Sequence, residues 1–358
     1  MVQEIWMTTT GIPQVKSNEP TKTKKAMKTK KFLSMAALAL VGAMMTGCSS
    51  DDDILQPENK TNVVTLTTTV GFDDGVAATR AVTGTGVKTF GAGDQMAVIY
   101  KNTSGGTVKA VGTLTSGAGT KSGTFTFTLT NPDKTQNVTY IYPAAMAGST
   151  GVDYTKLNSQ SSGTLTDLGS KYDLATNSGA WNAGALPSLT LNNQLAILAI
   201  NLKNGSTDIT STITGMTLGD GTNTYSVTRE AAAGPIYVAI QPTTSASISI
   251  TATDGSKNYA KSLTGKDYAA NNGYNVSWTV KQQYSITITG PYNHTSLKME
   301  FCEGDTWNDM AAKYPTYLSI HSTTKWVQLY SEGFICDSNN KKVLATAQIV
   351  PNATYTVQ

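Results

Sequence analysis

Three cysteines and two histidines make up the sparse reactive inventory of this 358-residue chain. Cys48 is the one whose setting prescribes a reaction. It closes Met45-Thr46-Gly47-Cys48, after lysines at 28, 30 and 31 and an apolar run from Phe32 to Met45. Such a run falls short of the ~20 residues that span a bilayer, so it reads as a secretory signal, and the exported chain would lose it. The four residues ending at Cys48 have the form of a lipobox. The expected chemistry is acylation of the Cys48 thiol, palmitate being one such chain, with Cys48 as the mature N-terminus. Two or more acyl chains suffice for stable anchoring where one is marginal.

The other reactive groups are less committed. Cys302 and Cys336 form an even pair in an exported chain. A disulfide there would close a loop of about 34 residues, worth roughly 3–4 kcal/mol in lost chain entropy. The alternative is two buried thiols acting as small hydrophobes. His294 and His321 have no cysteine, histidine or carboxylate at ligand spacing, so neither a metal site nor a Ser-His-Asp relay is expected. Asp94 and Asp173 adjoin turns, where an aspartate accepts backbone N–H bonds. No pair of carboxylates is singled out for glycosidase chemistry, no phosphate-binding loop occurs, and no cofactor is expected. Trp181 and Trp326 would stack on sugars if exposed, or fill a β core if buried. Only two arginines occur, Arg80 and Arg229. Arg80 lies in Ala77-Ala78-Thr79-Arg80-Ala81-Val82, a small, extended segment that a protease could bind as a strand; the plainer reading is an ordinary surface residue.

Positioning these residues falls to strands. Charged residues make up only 14% of the chain, 32 glycines punctuate it, and threonine and tyrosine are abundant. That composition suits a pleated, half-buried surface better than helices. The formal charge of +3 owes much to lysines before residue 61, so no nucleic-acid partner is expected. Residues 1–47 are the signal region, with Met27 opening a complete signal peptide, and 48–61 form an acidic tether carrying Asp51, Asp52 and Asp53.

From residue 62 the period is two. Val64, Leu66, Thr68, Val70 and Phe72 line one face of a first strand, and Phe125, Phe127 and Leu129 alternate with threonines in another. Residues 96–100 and 138–142 read as strands, whereas 148–190 read as loops and a connector. Residues 195–200, with no polar break, suit a strand covered on both faces. Further strands are expected at 213–218, 236–240, 247–252 and 275–280. Antiparallel β-sandwiches at 62–185 and 186–281 follow. A small α+β module, 282–358, would carry strands at 284–288, 297–302, 326–330, 333–337, 342–349 and 353–357. Its helix would begin at Asp305 or Thr306, carry Trp307, Met310, Ala311 and Tyr314, and end before Pro315.

In order along the chain, several features resemble the fimbrillin family of surface and pilus lipoproteins. Cys48-Ser49-Ser50 with its aspartates is similar to the export signal of surface lipoproteins in a phylum of gut and oral anaerobes. Gly71-Phe72 ends the first strand and Thr79-Arg80 follows. Phe90-Gly91-Ala92-Gly93-Asp94 is similar to the family's Phe-x-x-Gly-Asp stretch. Tyr140-Ile141-Tyr142-Pro143, Gln160, Gly163-Thr164-Leu165 and Tyr172-Asp173-Leu174-Ala175 continue the order through Leu191–Leu202. The resemblance spans about 60–281.

What the resemblance implies is a mainly β protein: two transthyretin-like antiparallel sandwiches on the outer face of the outer membrane, held there by lipid. In polymerising members an Arg-specific protease removes the first strand, here between Arg80 and Ala81, and a strand from another subunit fills the groove. The extra C-terminal module departs from a plain shaft subunit and favours a tip or stand-alone adhesin. Its start, Glu303-Gly304-Asp305-Thr306-Trp307, resembles a LysM module, without that fold's second helix. The expected partners are the outer membrane, other fimbrial subunits, and a host or bacterial surface receptor or glycan. No catalysis is expected. The alternative class is a carbohydrate-binding surface lipoprotein serving glycan uptake.

Overall fold

Alternation of threonine with apolar residues produces a mainly β chain, seen here in a computed structural model that describes residues 61–73, 88–289, 297–329, 333–351 and 353–358. All of these belong to one compact unit. The first group of strands is β1 (Val63–Phe72), β2 (Gln95–Lys101), β3 (Thr107–Ser116), β4 (Ser122–Thr130), β5 (Val138–Tyr142), β6 (Ser159–Ser161), β7 (Ala175–Gly179) and β8 (Leu189–Asn193), with helix α1 (Leu165–Lys171) before β7. Then come β9 (Ala196–Asn204), β10 (Thr207–Asp208), β11 (Gly215–Gly219), β12 (Thr224–Thr228), β13 (Ile236–Ile240), β14 (Thr243–Thr253), β15 (Asn258–Tyr268) and β16 (Asn272–Thr289). The last group is β17 (Leu297–Cys302), α2 (Trp307–Lys313), β18 (Leu318–Ile320), β19 (Val327–Leu329), β20 (Gly333–Cys336) and β21 (Tyr355–Val357).

The first segment departs from the expected open sandwich: its strands close into a ring, in the order β1-β4-β3-β2-β5-β7-β8. The ring has short seams. β3 bonds β4 only between Thr113 and Ser116, and β7 meets β8 only at Ala175–Thr176. Gly112 allows β3 to lie close over β4, since a Cβ there would sit 2.6 Å from the Phe127 ring. Phe125, Phe127, Leu129, Met96, Val98 and Tyr140 fill the interior. The stretch read as loops contributes β6, α1 and β7. Its Leu157, Leu168 and Leu174 join a different core, shared with β9 and its neighbours.

That second core packs on β9, whose unbroken apolar run is buried and whose edges are taken by β13, antiparallel on one side, and β16, parallel on the other. The outer strands β12, β11, β14 and β15 are hydrogen-bonded in that order, with β6 parallel to β12. β16 ties this part of the molecule to the next. It pairs with β9 over Asn272–Val280, with β15 over Lys281–Gln283, and with β17 over Gln283–Ile288. The position at which composition suggests a boundary, 281/282, therefore lies inside one unbroken strand.

Beyond it, α2 starts at Thr306, which with Asp309 makes a reciprocal capping box. Trp307, Met310, Phe301, Ile335 and Tyr355 form its core. Residues 342–349 are not the strand expected. Val343, Ala345 and Ile349 donate their N–H groups to Ile335, Lys325 and Asp305, three different parts of the chain, so no ladder forms. No second helix follows α2 among the described residues.

Candidate functional site: the seam of the first strand

β1 turns Leu66, Thr68, Val70 and Phe72 inward and Thr65, Thr67 and Thr69 to solvent. Its two edges are held very differently. Against β4 it pairs antiparallel from Val63 to Gly71; against β8 it pairs parallel, and only from Val70 to Phe72. Ahead of that short ladder side chains supplement it. Thr68 Oγ1 donates to the Pro187 carbonyl at 2.7 Å, and Ser188 Oγ donates to the Thr69 carbonyl at 2.6 Å.

The inner end of β1 is anchored by rings. Phe72 stacks on Phe90 with centroids 4.3 Å apart and meets Tyr142 edge-on at 5.3 Å, while Phe90 meets Phe125 at 5.2 Å. Lys88 Nζ lies 4.7 Å from the Phe72 centroid and 5.1 Å from that of Tyr142. The same ammonium pairs with Asp173 Oδ2 at 2.9 Å and donates to the Asp173 carbonyl at 2.8 Å. Lys88 thus binds the end of β1 to the loop before β7. A cation–π contact gains strength as the cation is desolvated, and removing either Lys88 or Asp173 would leave the other charge poorly compensated.

Tyr142 donates its hydroxyl to Asp94. Burial, reinforced by that carboxylate, pushes the phenol far above its ordinary value, so it stays a donor at any physiological pH. Tyr140 donates to the Pro187 carbonyl at 2.9 Å, and burial pushes its phenol up to about 12. Together these hydrogen bonds and ring contacts clamp the end of a strand.

Of the residues singled out from sequence, Cys48, Arg80, Ala81 and His294 lie outside the described residues. Asp94 and Asp173 both belong to the clamp. Of the two readings of Cys302 and Cys336, a bridge or two separate thiols, the structure has the second: both are free. The strands carrying them are ordered β17-β16-β21-β20, so two strands stand between. Three strand spacings of about 4.8 Å separate them laterally, and the register sets Cys302 level with Gln283 but Cys336 level with Thr289, about 20 Å further along β16, so they lie well over about 14 Å apart, far beyond the ~7 Å limit for a bridge. Burial pushes both thiols up.

Trp181 and Trp326 are both half-buried, and each lies under a lysine. Lys134 Nζ is 5.7 Å from the Trp181 centroid; Lys342 Nζ is 4.4 Å from that of Trp326 and 4.2 Å from that of Phe334. The structure does not bring the two tryptophans together: Trp181 packs on the ring's core and Trp326 on Phe334. His321 is exposed, its Nδ1 3.1 Å from Thr324 Oγ1. Among the described residues no three His, Cys, Asp or Glu side chains are grouped as metal ligands, and no helix is long and apolar enough to cross a membrane.

Sequence reasoning missed Lys88, whose partners Phe72, Tyr142 and Asp173 are up to 85 residues away. It also missed Gln160 as a structural group, and Arg229, buried with Nη1 unpartnered among the described residues. The one available signal for Arg229 was the rarity of arginine.

No known family profile matches the chain, and no curated protein matches it. Among solved structures it is similar to a Bacteroides fragilis protein provisionally described as a cell adhesion protein, at 12% identity, covering 62% of this chain and 88% of that one, with a TM-score of 0.33. A Bacteroides ovatus protein with the same provisional description is 11% identical, covering 68% and 97%, with a TM-score of 0.34. A fimbrial assembly protein of Parabacteroides distasonis is 6% identical, covering 62% and 95%, with a TM-score of 0.32. Scores at this level fall short of a common fold.

Proposed function

We propose that the protein is a lipid-anchored, surface-exposed adhesion protein or fimbrial subunit of the outer membrane, without catalysis. Cys48 carries the anchor. Cleavage between Arg80 and Ala81 frees β1, and a strand of another subunit takes its place; the C-terminal part makes this chain a tip or stand-alone adhesin. The observation that supports this reading is the asymmetry of β1: a full ladder with β4, but contact with β8 over Val70–Phe72 alone. Losing β1 would uncover the whole β4 edge together with a slot lined by Phe90, Phe125 and Tyr142, and an unpaired edge is a template for an incoming strand.

The test is digestion of the full chain with an Arg-specific protease. A cut after Arg80 followed by a ladder of SDS-resistant oligomers is expected, and persistent monomers after complete cleavage count against strand exchange. Metabolic labelling with palmitate, lost in Cys48→Ala, is the corresponding test of the anchor. The alternative class, a carbohydrate-binding lipoprotein for glycan uptake, draws its support from a polar groove on another sheet.

A further inference from the structure

The register of five strands lines up one transverse row on the outer face of the second sheet. Thr228 is opposite Gly215, Gly215 opposite Thr253, Thr253 opposite Asn258, and Asn258 opposite Gln283. Cross-strand partners project from the same face, so these side chains line a track of about 19 Å across four strand spacings. A groove of about 420 Å³ follows this row and ends at Glu300. A second groove, of about 320 Å³, continues it past Gln283 and shares Asn258 and Glu300.

The chemistry of the row is specific. Gly215 leaves its floor open, with hydroxyls on either side. Gln283 Nε2 donates to Glu300 Oε2 at 2.8 Å, which fixes the amide and leaves Gln283 Oε1 available as an acceptor. Thr228 and the Asn258 amide have no side-chain hydrogen bond among the described residues. The turn beneath Asn258 is rigid: Asp254 accepts from Ser256 N at 2.9 Å, Lys257 N at 2.7 Å and Tyr259 OH at 3.2 Å.

We propose that this groove binds a neutral oligosaccharide, held across the strands by Asn258, Gln283 and Thr228 over the Gly215 floor. Amides and hydroxyls both donate and accept, which matches a ligand whose hydroxyls do the same. The other ligand classes fit poorly. Each strand under the row is paired on both sides at that row, so an extended peptide finds no free backbone edge. No arginine lines either groove, so the planar fork that recognises phosphate bidentately is missing. The apolar side chains Met216 and Ala252 face the core beneath, so a lipid finds no apolar floor. The proposal is independent of the anchor and of strand exchange.

The full chain is screened on a microarray of neutral and sialylated glycans and titrated with maltohexaose, xylohexaose and chitohexaose. Saturable binding to neutral glycans by the uncleaved monomer is expected. Asn258→Ala, at an exposed position, should weaken it at least tenfold. Gly215→Val, which fills the floor, should abolish it, and Thr126→Ala on the ring should leave it unchanged. Absence of binding to every neutral glycan, binding confined to sialylated ones, or binding that survives both groove variants would overturn the proposal. Failure here leaves the SDS-resistant ladder unaffected, so the two readings fail separately.

Discussion

Gln160 and Ala239 exchange a complete pair of hydrogen bonds. Gln160 Nε2 donates to the Ala239 carbonyl at 2.7 Å, and the Ala239 N–H donates to Gln160 Oε1 at 2.9 Å. A side-chain amide here does the work of a neighbouring strand. The rest of the outer edge of β13 is closed in the same spirit: Tyr237 N–H donates to the Gly163 carbonyl at 2.9 Å and Gln241 N–H to Tyr225 OH at 3.1 Å. An edge so covered is not a site for adding a strand.

Gln160→Ala is expected to destabilise the protein by about 2–3 kcal/mol, because three backbone groups, the Ala239 N–H and the carbonyls of Ala239 and Leu157, lose this partner. Urea unfolding at pH 7 measures the loss. Light scattering should show the variant associating where the parent does not, as the edge of β13 becomes available. A variant equally stable and equally monomeric would show that water satisfies Ala239 just as well.

The alternating segments were legible because burial imposes a period of two: residues 64–72, 124–130 and 138–142 form strands where the pattern placed them. α2 was legible from its caps. β3 and β15 were not, since TVKAVGTLTS and NYAKSLTGKDY are largely exposed and their apolar signal is diluted. Ring closure, the Lys88 clamp and the transverse row depend on register between distant strands, which no local pattern encodes. Gln160 stood out only as part of a family resemblance, because a polar residue that serves as a backbone partner carries no periodic mark.

Phe72 sits where ring packing and the short β8 ladder coincide, so Phe72→Ala should cost about 3–5 kcal/mol, as for a buried aromatic. The loss should fall locally. Hydrogen exchange is expected to rise first at Val70–Phe72, with the β2–β3 pairs still protected. Uniform acceleration across the ring would mean that β1 opens only with the whole domain.

The two thiols, separated by two intervening strands, are expected to stay reduced in the folded protein. Thiol titration of unfolded protein, with no reductant added, should find both Cys302 and Cys336 free. Alkylation of the native form at pH 7.5 should be slow, because burial holds both in the protonated, unreactive state. Cys302→Ser combined with Cys336→Ser should shift the melting temperature equally with and without reductant. A reductant-dependent shift in the parent alone would reinstate the bridge.

Asp220 gives the fold part of its acid sensitivity. Its Oδ1 accepts from Thr222 N at 2.8 Å and Asn223 N at 2.6 Å, and its Oδ2 accepts from Tyr225 OH at 2.9 Å. Burial opposes ionisation, but the N–H donors of Asn223 and Thr222 outweigh it, so the carboxyl titrates below its ordinary 3.8. A depressed folded value means that the unfolded chain binds the proton more readily. The stabilisation is therefore fully present above about pH 4 and disappears as the pH falls through the folded value. In Asp220→Asn an amide NH2 replaces the acceptor facing Tyr225 OH, so the variant should be less stable at pH 7 by about 1–3 kcal/mol. It should also lose less stability than the parent between pH 5 and pH 2, measured as urea midpoints across that range. Parallel pH profiles for the two proteins would show that Asp220 titrates alike in the folded and unfolded chains, and the hydrogen bonds at this turn would then contribute nothing to acid stability.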